Sequence, residues 1–86
     1  RAHGEIDLIM QDKDVLVFIE VKTRSSKYFG EPIESVTMHK IQKIRFTAKQ
    51  FLIEKDIHNK EVRFDVVEVK LYQGKNAKFR HIRNAF

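Results

Sequence analysis

Glu5-Ile6-Asp7-Leu8-Ile9-Met10, Gln11-Asp12-Lys13-Asp14 and Val15-Leu16-Val17-Phe18-Ile19-Glu20-Val21-Lys22 run on from one another near the start of this 86-residue chain. The first segment alternates, with Ile6, Leu8 and Met10 on one face and Glu5, Asp7 and Ile9 on the other, the period of a strand. The second is a four-residue polar turn. The third is β-branched and apolar up to Glu20, which suits a central strand buried on both sides. Together they predict an antiparallel hairpin.

Outward from the hairpin, residues 23–32 hold Arg24, Ser25, Ser26, Lys27, Gly30 and the only proline, and read as a loop. Thr37 is a credible N-cap. Ile41, Ile44, Ala48, Phe51 and Leu52 then recur at helical spacing, predicting a helix to about Lys55. Residues 61–71 return to β character, and Gly74-Lys75-Asn76 turns the chain into a last strand over about 78–83. The expected order is β-β-α-β-β in one domain covering residues 1–86.

Composition narrows the class. Hydrophobic residues make up 42% and charged residues 34%, the balance of a globular chain rather than a disordered one. There is no cysteine, so disulfides and thiolate metal sites are excluded and a reducing cytoplasm is the expected compartment. No apolar run reaches the ~20 residues that cross a bilayer as a helix. The start, Arg1-Ala2-His3-Gly4-Glu5, carries neither a signal-peptide core nor an initiator methionine, which reads as a fragment or processed form. A net charge of +5 favours a polyanionic partner through counterion release, although many basic proteins bind no nucleic acid.

Asp7, Glu20 and Lys22 are the candidate chemistry. An even-numbered turn sets odd positions of the first strand opposite even positions of the second. The tightest register puts Asp7 opposite Phe18, and a two-residue shift puts it opposite Glu20. Either leaves the carboxylates roughly 5–8 Å apart at the backbone, within reach of one cation. Lys22 shares the face of Glu20. Mg²⁺ or Mn²⁺ would relieve the repulsion between the carboxylates, polarise a phosphoryl oxygen and activate water, with the Val21 carbonyl as a further ligand. Lys22 could orient that water. The same spacing also fits a solvated cross-strand salt bridge between Lys22 and Glu20. Glu20 nonetheless interrupts a buried apolar run, and a polar group there needs a reason.

Gly4-Glu5-Ile6-Asp7-Leu8-Ile9, Val17-Phe18-Ile19-Glu20-Val21-Lys22-Thr23-Arg24 and Arg63-Phe64-Asp65-Val66-Val67 together resemble the YraN-type family of small bacterial proteins. Phe29-Gly30, Pro32, Val36, Lys40, Ala48 and Leu52 fall on the same pattern. That family is similar to PD-(D/E)xK nucleases, including Holliday junction resolvases. The resemblance implies a restriction-endonuclease-like α/β fold with a mixed sheet and metal-dependent cleavage of DNA. It implies Asp7 and Glu20 as metal ligands, Lys22 as the catalytic lysine, and a homodimer as the assembly. The family pattern begins with a helix and a strand that this chain lacks. In related nucleases that helix carries another glutamate near the metal, a place that Glu5 could fill only in part.

Thr23, Arg24, Ser25 and Lys27 follow the motif and suit phosphate contacts, or an ordinary solvated loop. Lys40 is expected to face phosphate. His3, His39, His58 and His81 show no metal-ligand spacing. Asp65, inside an apolar strand, is expected to hydrogen-bond a loop or pair with Arg63 or Lys70. Phe46, Phe51, Phe64 and Phe79 are expected at core or amphipathic positions. The partner expected is nucleic acid, DNA in preference to RNA, and no membrane. Two rival functions fit the same residues: a non-catalytic nucleic-acid-binding module of the same fold, and a protein–protein adaptor using the uncovered sheet face.

Overall fold

The computed structural model describes residues 6–25, 27, 30, 36–72 and 76–86. In these, β1 (Leu8–Asp12), β2 (Val15–Ser25), α1 (Met38–Glu54), β3 (Glu61–Leu71) and β4 (Ala77–Ile82) follow in that order. The sheet is mixed and runs β1-β2-β3-β4, with β1/β2 and β3/β4 antiparallel and β2/β3 parallel. Two parallel neighbours cannot be joined by a tight turn, and α1 lies within the crossover between them. The fold is α/β, as the alternating and helical periods require.

The hairpin is tighter than its polar turn suggests. Asp12 pairs with Val15, so Lys13-Asp14 alone turns the chain and Gln11 and Asp12 belong to the strand. Lys13 takes a left-handed φ of 57° there. That conformation costs a non-glycine residue about 1 kcal/mol, offset by two more rungs of pairing. Odd positions of β1 face even positions of β2, as in Ile9↔Phe18. The register is the shifted one, and carrying Leu8↔Ile19 one step further sets Asp7 across from Glu20.

Two further expectations change. β2 continues to Ser25, so Thr23, Arg24 and Ser25 lie in a strand rather than a loop, paired to Val69, Lys70 and Leu71. The eleven-residue β3 offers partners that far, and backbone groups take them. Ile6 does not share the face of Leu8 and Met10. The chain bends at Asp7 and Ile6 is buried in the core, whereas Leu8 and Met10 are about half exposed.

The core lies between the sheet and α1. Leu16, Phe18 and Val66 from the sheet meet Ile44 and Ala48 of the helix, with Ile41, Phe51 and Leu52 packed at the margin. Phe18 has its ring 6.0 Å from Phe51, edge-on, and 5.5 Å from Phe64, stacked. Phe86 stacks on Phe64 in turn. Phe46 and Phe79 leave this pattern and are 64% and 72% exposed, one on a helix side away from the sheet, the other on edge strand β4. No helix among the described residues is long and apolar enough to cross a membrane.

Candidate active site

Even-numbered residues of β2 face α1, and Glu20 is the first charged one after Leu16 and Phe18. Its residue exposure is 4%. Burying a carboxylate requires partners, and Glu20 has two: Lys22 Nζ and Lys40 Nζ lie 3.2 and 3.1 Å from the same oxygen, Oε2. Lys22 reaches it from two residues along the strand. Lys40 reaches it from the first turn of α1, where Thr37 caps the helix by accepting from the Lys40 N–H at 3.2 Å. A lysine in a first turn opposes the helix dipole, and Glu20 supplies the compensating charge. The other oxygen, Oε1, is buried and has no hydrogen-bond partner among the described residues.

Asp7 stands at the edge of this group. Its Oδ2 accepts from the Val21 N–H at 2.8 Å, so a side chain continues the ladder where the regular β1 pairing ends at Leu8. The N–H and C=O of one strand residue point to the same edge. The Val21 carbonyl therefore faces the edge on which Asp7 sits. The Asp7 carboxylate is thus bonded to the backbone of Val21, the residue that follows Glu20 in β2. The solvated salt bridge allowed by the spacing is present as a contact but not as an environment, because Lys22 and Glu20 meet inside the fold on a central strand.

Strand alternation sorts the remaining candidates. Arg24 shares the face of Glu20 and Lys22, whereas Thr23 and Ser25 point to the opposite face. Lys27 is exposed, and its N–H donates to Ser25 Oγ at 3.3 Å. Glu5 and His3 lie outside the described residues, as do Ser26, Phe29, Pro32, and the turn positions Gly74 and Lys75. His39 and His58 are exposed. Among the described residues, no three His, Cys, Asp or Glu side chains group closely enough to hold a metal ion.

Two features were not legible beforehand. The bond from Lys40 to Glu20 ties α1 to β2, a partner that the expectation of a phosphate-facing lysine does not name. The signal was a lysine three residues after a helix cap, where glutamate or glutamine is the stabilising choice. Glu68 is only 6% exposed and was not singled out. Its signal was a charge alternating with Val66 and Lys70 on a strand otherwise rich in valine.

On the opposite face, Asp65 is fully buried. Arg63 grips it through Nε and Nη2, both at 2.9 Å, the Asn84 N–H donates at 3.0 Å, and His81 Nε2 lies 2.7 Å away. The Arg63 pairing and the backbone bond to the C-terminal segment match the structural role read from the sequence. Burial pushes the Asp65 carboxyl up, but Arg63, Asn84 and His81 outweigh it and hold it below the ordinary value. Hydrogen bonding to Asp65 raises the Arg63 guanidinium further, against the effect of its own burial. A cleft of about 260 Å³ adjoins this group, over Met10, Val17 and Ile19. The charges beside it bond mainly to one another, and the open carboxylate oxygens lie on the other face.

Residues 1–69 match the family model described as Uncharacterised protein family UPF0102. A UPF0102 protein of Clostridium botulinum is 51% identical over 85 residues, covering 96% of this chain and 69% of that one. One from Beutenbergia cavernae is 48% identical over 80 residues, covering 93% and 68%. One from Rhodococcus opacus is 44% identical over 84 residues, covering 98% and 71%.

Proposed function

This chain belongs to the UPF0102 family, a name that assigns no reaction, and we propose from its own residues that it is a metal-dependent nuclease hydrolysing DNA phosphodiesters. The observation that carries the reading is Glu20: a carboxylate buried on a central strand, with Oε1 unpartnered among the described residues and a second carboxylate, Asp7, bonded to the N–H of the next residue, Val21. An orphaned buried oxygen is costly, by about 1–3 kcal/mol or more for a charged group. A hard cation at that point would remove the cost. Asp7, Glu20 and the Val21 carbonyl are oxygen donors suited to Mg²⁺ or Mn²⁺, which take one or two carboxylates and complete their shell with water and substrate phosphate. When bound, such an ion supplies Lewis-acid polarisation of phosphoryl oxygen and water.

The chain's own contribution is orientation and charge. The Lys22 ammonium, held beside Glu20, is placed to orient the attacking water and to offset charge developing on the phosphate. Lys40, whose side chain is one-third exposed beside Glu20, is placed to meet a phosphate oxygen at the same site. The Asp7…Glu20-x-Lys22 pattern resembles that of PD-(D/E)xK nucleases, and the mixed α/β sheet is compatible with their core. Branched DNA is the substrate that this resemblance favours.

One observation favours a second reading. Two lysines already neutralise Glu20 Oε2, as they would in a nucleic-acid-binding module with no catalysis. The test is a cleavage assay of the full-length protein on single-stranded, duplex and branched DNA and RNA, with Mg²⁺, Mn²⁺ or chelator. Metal-dependent cleavage is expected, abolished by Asp7→Ala and by Lys22→Ala at unchanged circular dichroism. Digestion that either variant leaves intact refutes the nuclease reading. Binding of DNA without cleavage, and without site-specific Mn²⁺ effects at Asp7 and Glu20, establishes the alternative.

A further inference from the structure

Glu68 is a second buried carboxylate beside the site, and the reaction above does not use it. It pairs in register with Lys22 of β2 on one side and with Arg80 of β4 on the other. Partners in register share a face of the sheet, so Glu68 points the same way as Glu20 and Lys22. Its residue exposure is 6%, and Oε2 is buried with no hydrogen-bond partner among the described residues. Neighbouring strands lie about 4.8 Å apart, well within the reach of a lysine side chain.

Lys22 now stands 3.2 Å from Glu20 Oε2, an oxygen it shares with Lys40. That arrangement conflicts with a divalent cation on Glu20. Like charges a few Å apart in a partly desolvated site repel one another strongly. A displaced Lys22 ammonium would have to swing to water or find another acceptor. Glu68 Oε2 is an acceptor one strand away and is already desolvated.

We infer that Glu68 is a positioning residue that receives the Lys22 ammonium when a divalent cation occupies Glu20. Lys22 exchanges one carboxylate for another, stays beside the site, and clears the oxygens of Glu20. The inference rests on the cation reading of Asp7 and Glu20. It adds that the strand next to the motif takes part in loading it.

Calorimetric titration of the full-length protein with Mg²⁺, together with NMR of the lysine ammonium groups, tests this without any assay of cleavage. Mg²⁺ is expected to bind the wild type and to move the Lys22 ammonium signal. Glu68→Gln, which keeps size and shape, should weaken Mg²⁺ binding about tenfold, the lower end of the usual effect of an outer partner. Glu68→Asp should restore most of the loss. With Lys22→Met already present, Glu68→Gln should change affinity by less than about twofold, because the effect passes through the ammonium. The same tenfold loss in both backgrounds would mean that Glu68 acts only as a distant charge, and would overturn the inference. So would a Lys22 signal indifferent to Glu68→Gln in the Mg²⁺-loaded protein. A wild type that binds no Mg²⁺ fails earlier, at the cation reading itself, and takes the inference with it.

Discussion

Asp65 has no exposed surface, yet it stays ionised because Arg63, Asn84 and His81 converge on its two oxygens. Its folded-state pKa lies below the ordinary value, so the stabilisation is present above the unfolded value of about 4 and is lost as pH falls through the folded one. Asp65→Asn is expected to cost about 3 kcal/mol at neutral pH, since it leaves Arg63 without its closest counter-charge. Urea denaturation across a pH series checks both points: the gap between wild type and variant should close as the pH drops below about 4. A gap that stays constant with pH would separate the packing of Asp65 from its charge. Glu20 is a different case at the same scale. Its burial leaves one oxygen unsatisfied, and that contrast is why the functional reading falls on Glu20 and the structural one on Asp65.

At the scale of elements, α1 both covers the core and closes the site. Ile44 and Ala48 bury its inner face, and its first turn delivers Lys40 to Glu20. The Thr37 side chain fixes where that turn begins. Thr37→Ala is expected to lower stability by about 1 kcal/mol, read as a shift in the urea midpoint with the slope unchanged. β2 is the other organising element. It is central, its residues Leu16 to Glu20 are all buried, and alternation along it separates Glu20, Lys22 and Arg24 from Val17, Ile19 and Thr23. Thr23 and Ser25 lie on the sheet face opposite Glu20 for that reason.

For the molecule as a whole, the sheet divides two surfaces of different character. The helix side gathers Glu20, Lys22, Arg24, Lys40 and Glu68, while the other side presents Leu8, Met10 and Phe79, each about half exposed or more. A polyanion held by Lys22, Arg24 and Lys40 would neutralise about three phosphates. Its affinity should then fall about 20- to 40-fold between about 50 and 200 mM salt, measured by fluorescence anisotropy with labelled single-stranded or branched DNA. Affinity independent of salt would point away from a nucleic-acid partner and toward an apolar protein contact on the Leu8, Met10 and Phe79 face.

Much of this architecture was present in residue order. Alternation marked the β1/β2 hairpin, a valine-rich run marked β3 from Glu61 to Leu71, and Thr37 with a 3.6-residue apolar period marked α1, because these signals are local and reflect which faces can be buried. The charge interrupting Val15–Ile19 likewise marked Glu20 before any neighbour was known. Register, strand order and partners are different in kind. Whether Asp7 meets Phe18 or Glu20 depends on how tightly Lys13 and Asp14 turn. Whether residues 23–25 extend β2 depends on a strand that begins nearly forty residues later. That Lys40 and Lys22 share one oxygen while Glu68 keeps one open follows only from packing α1 and β3 against β2, since burial and charge pairing across distant segments are properties of the assembled chain.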